Sequence, residues 1–304
     1  MTASGLPRRA ATLGAAFDCA GEGIHTGVRS EVRVTPAVAG RGIVFRRAVG
    51  SGVAEVPALW THRRSRPLCT ALQVGEGPLV RTVEHLLAAL TAMRIDDAVV
   101  EIVGEELPIF DGSAAPWCAM IRTAGRVEHD APRRYLRVLK PVEHVNGMRR
   151  LTIEPADAHL LSVHIELNHF GPLDWSGPVT PETFERELAP SRSFGRVTWT
   201  IPGKIRGLWP FGEPLLRGAT TKNTAALWKN TAIGGLRMPD EPVRHRALDL
   251  VGDLALAGLP LLGRVTAAHP GHEHNYALLA ALMRDPTAWD VATLDADGPP
   301  RAAA

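Results

Sequence analysis

The stretch VRHRALDLVGDLALAG, residues 243–258, constrains this chain more than any other. On a helix of about 3.6 residues per turn, Val243, Ala247, Leu250, Val251 and Leu254 form one apolar stripe that has to face a core. His245, Asp249 and Asp253 recur at intervals of four and make a separate polar stripe. A histidine and a carboxylate one turn apart can both reach one divalent metal. The segment therefore predicts an amphipathic helix with a metal-ligand pair on it. Spacing alone is a weak signal, because His-x-x-x-Asp arises by chance in many chains, so its weight depends on what else the chain supplies.

A length of 304 residues allows two ordinary domains or one large one. Hydrophobic residues at 45% and charged residues at 22% fit a globular protein, and a net charge of +2 gives no argument for nucleic acid. Arginines cluster in short groups (Arg63, Arg64 and Arg66; Arg133 and Arg134; Arg149 and Arg150), as solvated surfaces usually do. The cysteines Cys19, Cys69 and Cys118 are odd in number, far apart and in no CxxC, which fits a reducing compartment better than a disulfide framework. No run approaches the roughly 20 apolar residues of a membrane span, and the N-terminal MTASGLPRRAATLGAAF is too polar for a signal peptide. These features together read as cytoplasmic.

Strands are expected at 31–35 (EVRVT), 42–47 and 98–104, with helices at 81–93 and 116–124; Thr82 is the expected N-cap of the first. The polar run VEHDAPRRY from Val127 contains Pro132 and marks a boundary between residues 1–131 and 132–284. Beyond it YLRVLKPVEHV, RRLTIEPA and LLSVHIELNH read as strands, ETFERELAP as a short helix, and 275–284 as another helix. Both halves run strands first and helices after, an α+β pattern. Residues 285–304 turn to Pro, Ala, Asp and Gly and are expected to be a loose tail. The segment 197–218, with Trp199, Trp209 and Phe211 among prolines and glycines, reads either as a loop packed by its own side chains or as an apolar wall for a greasy ligand.

Glu84 and His85 lie off the apolar stripe of their helix, where such a pair is most often surface. Side chains of sequential residues diverge by about 100° on a helix, so one of them can hold a metal while the other reaches water beside it. His272 and His274 precede the last helix in PGHEHNY; such histidines are mostly surface residues, though one would serve as a proton donor.

Six blocks occur in one order: GEGIHTG (21–27), TVEHLLAAL (82–90), PIFDGSAAPW (108–117), PSRSFG (190–195), VRHRALDLVGDL (243–254) and GH-x-x-N (271–275). In this the chain resembles, over nearly its whole length, the UDP-3-O-acyl-N-acetylglucosamine deacetylase family (LpxC), the zinc amidases of lipid A synthesis. The resemblance implies two α+β domains of similar topology, each a sheet packed on helices, with the helices facing each other across the active site. It implies His85, His245 and Asp249 as ligands of one zinc ion, a set that would also accept ferrous iron, with a fourth position open for water. It implies Glu84 as general base, His272 as proton donor or oxyanion partner, Asp253 as the carboxylate that orients His272, and Ser193 as an oxyanion contact. Phe194, Arg246, Arg149 and His25 match positions near the substrate, and an insert around 197–218 matches a passage for the acyl chain.

The chain departs from the family pattern at four places: Arg246 and Arg149 stand for lysines, Ser193 for threonine, and 197–218 differs strongly. The expected activity is hydrolysis of UDP-3-O-acyl-N-acetylglucosamine to the amine and acetate, by a monomer with no nucleic-acid partner and no integral membrane segment. Alternatives are a diverged zinc amidase for another N-acyl amino sugar or N-acyl lipid, and a non-catalytic binding protein of the same fold.

Overall fold

The computed structural model describes residues 5–208, 212–294 and 301–302. The first part of the chain runs β1 (Arg9–Leu13), β2 (Phe17–Glu22), β3 (Arg29–Pro36), β4 (Ile43–Val49), β5 (Gly52–Pro57), β6 (Arg63–Arg66), β7 (Cys69–Leu72), β8 (Val80–Arg81), α1 (Glu84–Ala92), β9 (Ala98–Val103), α2 (Ala115–Ala124) and β10 (Arg126–Pro132). Five strands form a sheet in the order β2-β3-β9-β4-β5, antiparallel except for β4 against β9. In β3 the residues alternate, with Val32 and Val34 turned inward and their neighbours exposed, as expected for a sheet covered on one face.

The second part runs β11 (Tyr135–Val138), β12 (Val142–Asn146), β13 (Arg149–Glu154), β14 (His159–Leu167), β15 (Gly171–Pro178), the single turn α3 (Pro181–Thr183), β16 (Phe194–Arg196), α4 (Val197–Gly207), β17 (Ala225–Trp228), β18 (Thr231–Ile233), α5 (Glu241–Leu254), β19 (Leu261–Ala268), α6 (His272–Arg284), β20 (Trp289–Thr293) and β21 (Arg301–Ala302). Strand β19 is the spine of its sheet: it pairs with β13 antiparallel and with β14 and β11 parallel, while β12 and β15 extend it as hairpins. Helix α5 packs on β14 and β15, and α6 on β12 and β13. Two small three-stranded sheets stand beside the main ones, β6-β7-β8 and β16-β17-β18, the latter carrying α4.

The molecule is therefore α+β, and its central contact is α1 on α5. Helix α1 is buried along Glu84–Leu90, which requires cover on both sides; α2 and α5 supply it. Gly252 lies at the crossing, where a Cβ would stand 2.1 Å from the Glu84 carbonyl oxygen. Only glycine lets the two backbones approach so closely at the residue that opens α1.

Several expectations need correction. Thr82 does not cap α1: it has φ +57° and its hydroxyl donates to Glu106, leaving Val83 as the capping residue with no side-chain bond. The expected strand 135–145 is two strands, interrupted at Leu139–Pro141. Helix α6 starts at His272, not Asn275, because the Asn275 side chain folds back to accept the Gly271 N–H and closes the first turn. The segment 197–218 is not wholly a loop, since 197–207 are helical despite Pro202; Trp209, Phe211 and the Trp199 side chain lie outside the described residues. The loose tail cannot begin at 285, because Trp289–Thr293 pairs with β11. The polar run at the expected boundary is strand β10 as far as Pro132, paired with β1.

Candidate active site

His85 is the second residue of α1, while His245 and Asp249 are one turn apart on α5. The crossing at Gly252 brings the three together, with one ligand atom of each within 4.8 Å of the others, and all three are buried. His245 Nε2 and His85 Nε2 stand 3.4 and 3.7 Å from Asp249 Oδ1. His245 Nδ1–H donates to the Ser191 carbonyl at 3.1 Å, which leaves Nε2 as the free lone pair. Asp249 Oδ1 is buried and makes no hydrogen bond. An orphaned carboxylate oxygen facing two imidazole nitrogens is the arrangement expected where a cation completes the set, so these residues fit a divalent metal with nitrogen and oxygen preference. Burial pushes the His245 imidazole down to about 4, partly opposed by Asp249, so it is neutral and fit to ligate at neutral pH. Burial would raise the Asp249 carboxyl, but the imidazoles of His245, His85 and His272 around it hold it well below the usual range.

Glu84 and His272 face each other beside this cluster, Oε1 to Nε2 at 3.9 Å. Burial lifts the Glu84 carboxyl to about 7, against the pull of His272 and His85. For His272 burial acts downward, but Asp253 overcomes it, with help from Asp249 and Glu84, and raises the imidazole to about 10. His272 Nδ1–H donates to Asp253 Oδ2 at 3.0 Å, a carboxylate oxygen being an acceptor. Asn275 Nδ2 donates to the same oxygen at 2.8 Å, and the Thr70 hydroxyl donates to Oδ1 at 2.5 Å. The start of α6 is anchored across the molecule, since Glu273 accepts from Arg63 Nη1 at 2.9 Å and from the Ser65 hydroxyl at 2.7 Å.

The remaining expected residues fall at different distances from this centre. Phe194 packs edge-on to His245, centroids 6.2 Å apart, and the Arg246 guanidinium lies over the Phe194 ring at 4.9 Å while its Nη1 reaches to 3.6 Å from Asp249 Oδ2. Ser193 is turned to the Gly112 carbonyl, 3.5 Å from its hydroxyl, rather than to the metal-ligand set. Arg149 stands at the rim and donates to the His269 carbonyl at 3.0 Å. His25 is buried in its loop; burial lowers its imidazole, and its Nδ1 accepts the Leu216 N–H at 3.5 Å.

Three residues in or under the site were given no role by the sequence. Thr70 lies in a strand of ordinary composition, and Asn275 is the polar end of GH-x-x-N. Glu106 is a buried carboxylate whose oxygens accept from the His25 and Thr26 amides and the Thr26 and Thr82 hydroxyls, fixing the His25 loop against α1. For Thr70 and Glu106 the partners lie far away in the chain, 183 residues for Thr70 and Asp253 and 81 for Glu106 and His25, so no periodicity announces them.

Residues 10–284 match the family model described as UDP-3-O-acyl N-acetylglycosamine deacetylase. The chain is similar to the UDP-3-O-acyl-N-acetylglucosamine deacetylase of Phenylobacterium zucineum, 39% identical with 91% of this chain and 94% of the relative covered. It is 37% identical to that of Solibacter usitatus over 91% and 92%, and 38% identical to that of Brucella melitensis biotype 2 over 92% and 97%.

Proposed function

Because this chain belongs to the UDP-3-O-acyl-N-acetylglucosamine deacetylase family, we propose that it hydrolyses the acetamide of UDP-3-O-acyl-N-acetylglucosamine, releasing acetate and the free amine, as a zinc-dependent step of lipid A synthesis. The observation that carries this reading is the pairing of Glu84 and His272 across 3.9 Å beside the buried His85, His245 and Asp249. A bound divalent cation supplies positive charge that polarises an amide carbonyl and acidifies water. Glu84, poised near neutrality, takes the proton of the attacking water as the new C–O bond forms. His272 Nε2, protonated because Asp253 holds Nδ1–H, gives a proton to the nitrogen as the C–N bond breaks. Ser193 assists at the carbonyl oxygen once substrate turns its hydroxyl from Gly112.

Phe194 offers an apolar face to the sugar, Arg246 and Arg149 offer charge to a diphosphate, and His25 is assigned to the substrate side as well. Helix α4 and its capping residue present Ile201, Ile205 and Leu208 to solvent, each more than half exposed, and suit contact with an acyl chain. We place the protein in the cytoplasm, supported by its three free cysteines, and take one copy as sufficient, since every group named comes from a single chain. Among the described residues no helix is long and apolar enough to cross a membrane.

Metal-loaded protein should deacetylate the UDP-linked substrate, and Glu84→Ala should abolish turnover. Turnover of another N-acyl sugar or N-acyl lipid without turnover of the UDP sugar would redirect the reading to a diverged amidase, with Arg246 stacked on Phe194 as the first suspect. Full metal loading with no amide turned over would leave a binding protein.

A further inference from the structure

We propose that Thr70 is the positioning residue that couples the two proton-moving groups of the site, holding Glu84 through its backbone and His272 through its hydroxyl; this rests on the roles assigned above to those two groups. Thr70 is buried at 2% exposure in β7, and each of its polar groups is committed to the site. Its carbonyl accepts the N–H of Val83, the residue that opens onto α1, at 3.2 Å. Its N–H donates to Glu84 Oε2 at 3.0 Å, which leaves Oε1 on the side of His272. Its hydroxyl donates to Asp253 Oδ1 at 2.5 Å and lies 3.3 Å from His272 Nδ1.

The hydroxyl bond is the only hydrogen bond made to Asp253 Oδ1 among the described residues. It therefore sets the rotation of that carboxylate, and with it the direction from which Oδ2 receives His272 and Asn275. A buried threonine satisfied by whichever acceptor is nearest would account for one of these contacts. It does not account for a single residue bonded to the base on one side and to the orienting carboxylate of the acid on the other, 183 residues away in the chain. Strand β7 is pinned by its pairing with β6 and β8, so Thr70 acts as a fixed post between groups brought by α1 and by α5 and α6.

Thr70→Val keeps the shape and both backbone bonds and removes only the hydroxyl. Asp253 Oδ1 is then left unpaired, the carboxylate is free to turn, and the His272 ring loses its fixed acceptor while Glu84 keeps its amide. In metal-loaded protein kcat should fall about 10–100-fold, the range for loss of an outer-layer hydrogen bond at a site of this kind, with KM within about twofold, because no substrate contact is lost. Thr70→Ser should recover most of kcat, and metal content should stay that of the wild type.

A second readout needs no turnover. The His272 Nδ1–H proton should give a slowly exchanging downfield NMR signal, identified by its absence in His272→Gln. That signal should persist in Thr70→Ser and vanish by exchange in Thr70→Val. Thr70→Ala serves in place of valine if the extra methyl prevents folding. Unchanged kcat with the signal retained in Thr70→Val overturns the inference, as does equal loss in Thr70→Val and Thr70→Ser, which would assign the effect to packing. Wild-type protein that leaves the UDP sugar intact but shows the expected signal pattern would overturn the substrate reading and leave the role of Thr70 standing.

Discussion

At the scale of single residues, burial acts on Glu84 and His272 in opposite chemical directions, and only one of them yields to it. Glu84 rises to about 7, whereas His272 is carried to about 10 by Asp253 against the pull of its surroundings. The base must be ionised, so activity should fall as pH drops through the Glu84 value, which a bound cation moves below 7 by favouring the carboxylate. The acid must be protonated, so activity should fall as pH rises through about 10. In Asp253→Asn the charge that lifts His272 is gone and burial dominates, so the alkaline limb of the kcat/KM profile should move to lower pH; an alkaline limb that stays put refutes the pairing. Glu84→Gln should lower kcat by about 10²–10⁴, the usual worth of a general base, while metal content measured by atomic emission stays that of the wild type. The candidate metal-ligand set and the proposed base could be named from residue types in known blocks, but their burial could not. Glu84 and His85 sit off the apolar stripe of α1 and look like surface until α5 crosses over them.

At the scale of elements, the approach of α5 to α1 is set by one missing side chain. In Gly252→Ala the new Cβ would lie 2.1 Å from the Glu84 carbonyl oxygen, so one helix must move. Overpacking of this kind costs about 1–3 kcal/mol, measurable as a lower urea midpoint, and kcat should drop as well because the displaced point carries Glu84 and His85. Wild-type kcat in that variant would show that the crossing tolerates the shift. The stripe of Val243, Ala247, Leu250, Val251 and Leu254 on α5 is buried as its periodicity demands. So are His245, Asp249 and Asp253, because α1 and α6 cover the side that spacing alone leaves open. Strands 31–35 and 98–104 declared themselves by local pattern. Elements whose cause is distant did not: β20 is a strand because Tyr135–Val138 offers it an edge, and α6 gains its first turn from a side-chain bond that helix propensity does not describe. Helix 197–207 was hidden by its glycines and proline, which composition reads as loop.

At the scale of the whole molecule, the candidate metal-ligand set spans two helices from distant parts of the chain, so a cation held there binds well only when α1 and α5 are docked. Ligand that binds only the folded form at 100 times its Kd adds about 2.7 kcal/mol of stability. Chelation should therefore lower Tm measured by calorimetry, re-addition of zinc should restore it, and His85→Ala should make Tm indifferent to the metal. The same long reach has a consequence in time. Thr70 and His272 are 202 residues apart, and a ribosome working at about 5–20 residues per second takes about 10–40 s to pass from one to the other. For most of that interval, until α5 is made, the emerging chain holds α1 with only α2 to cover it and the Glu84 carboxyl with neither α5 nor α6 in place. The nascent protein is thus most exposed to misassociation where the finished one is most tightly closed, until α5 and α6 have both left the ribosome and can dock.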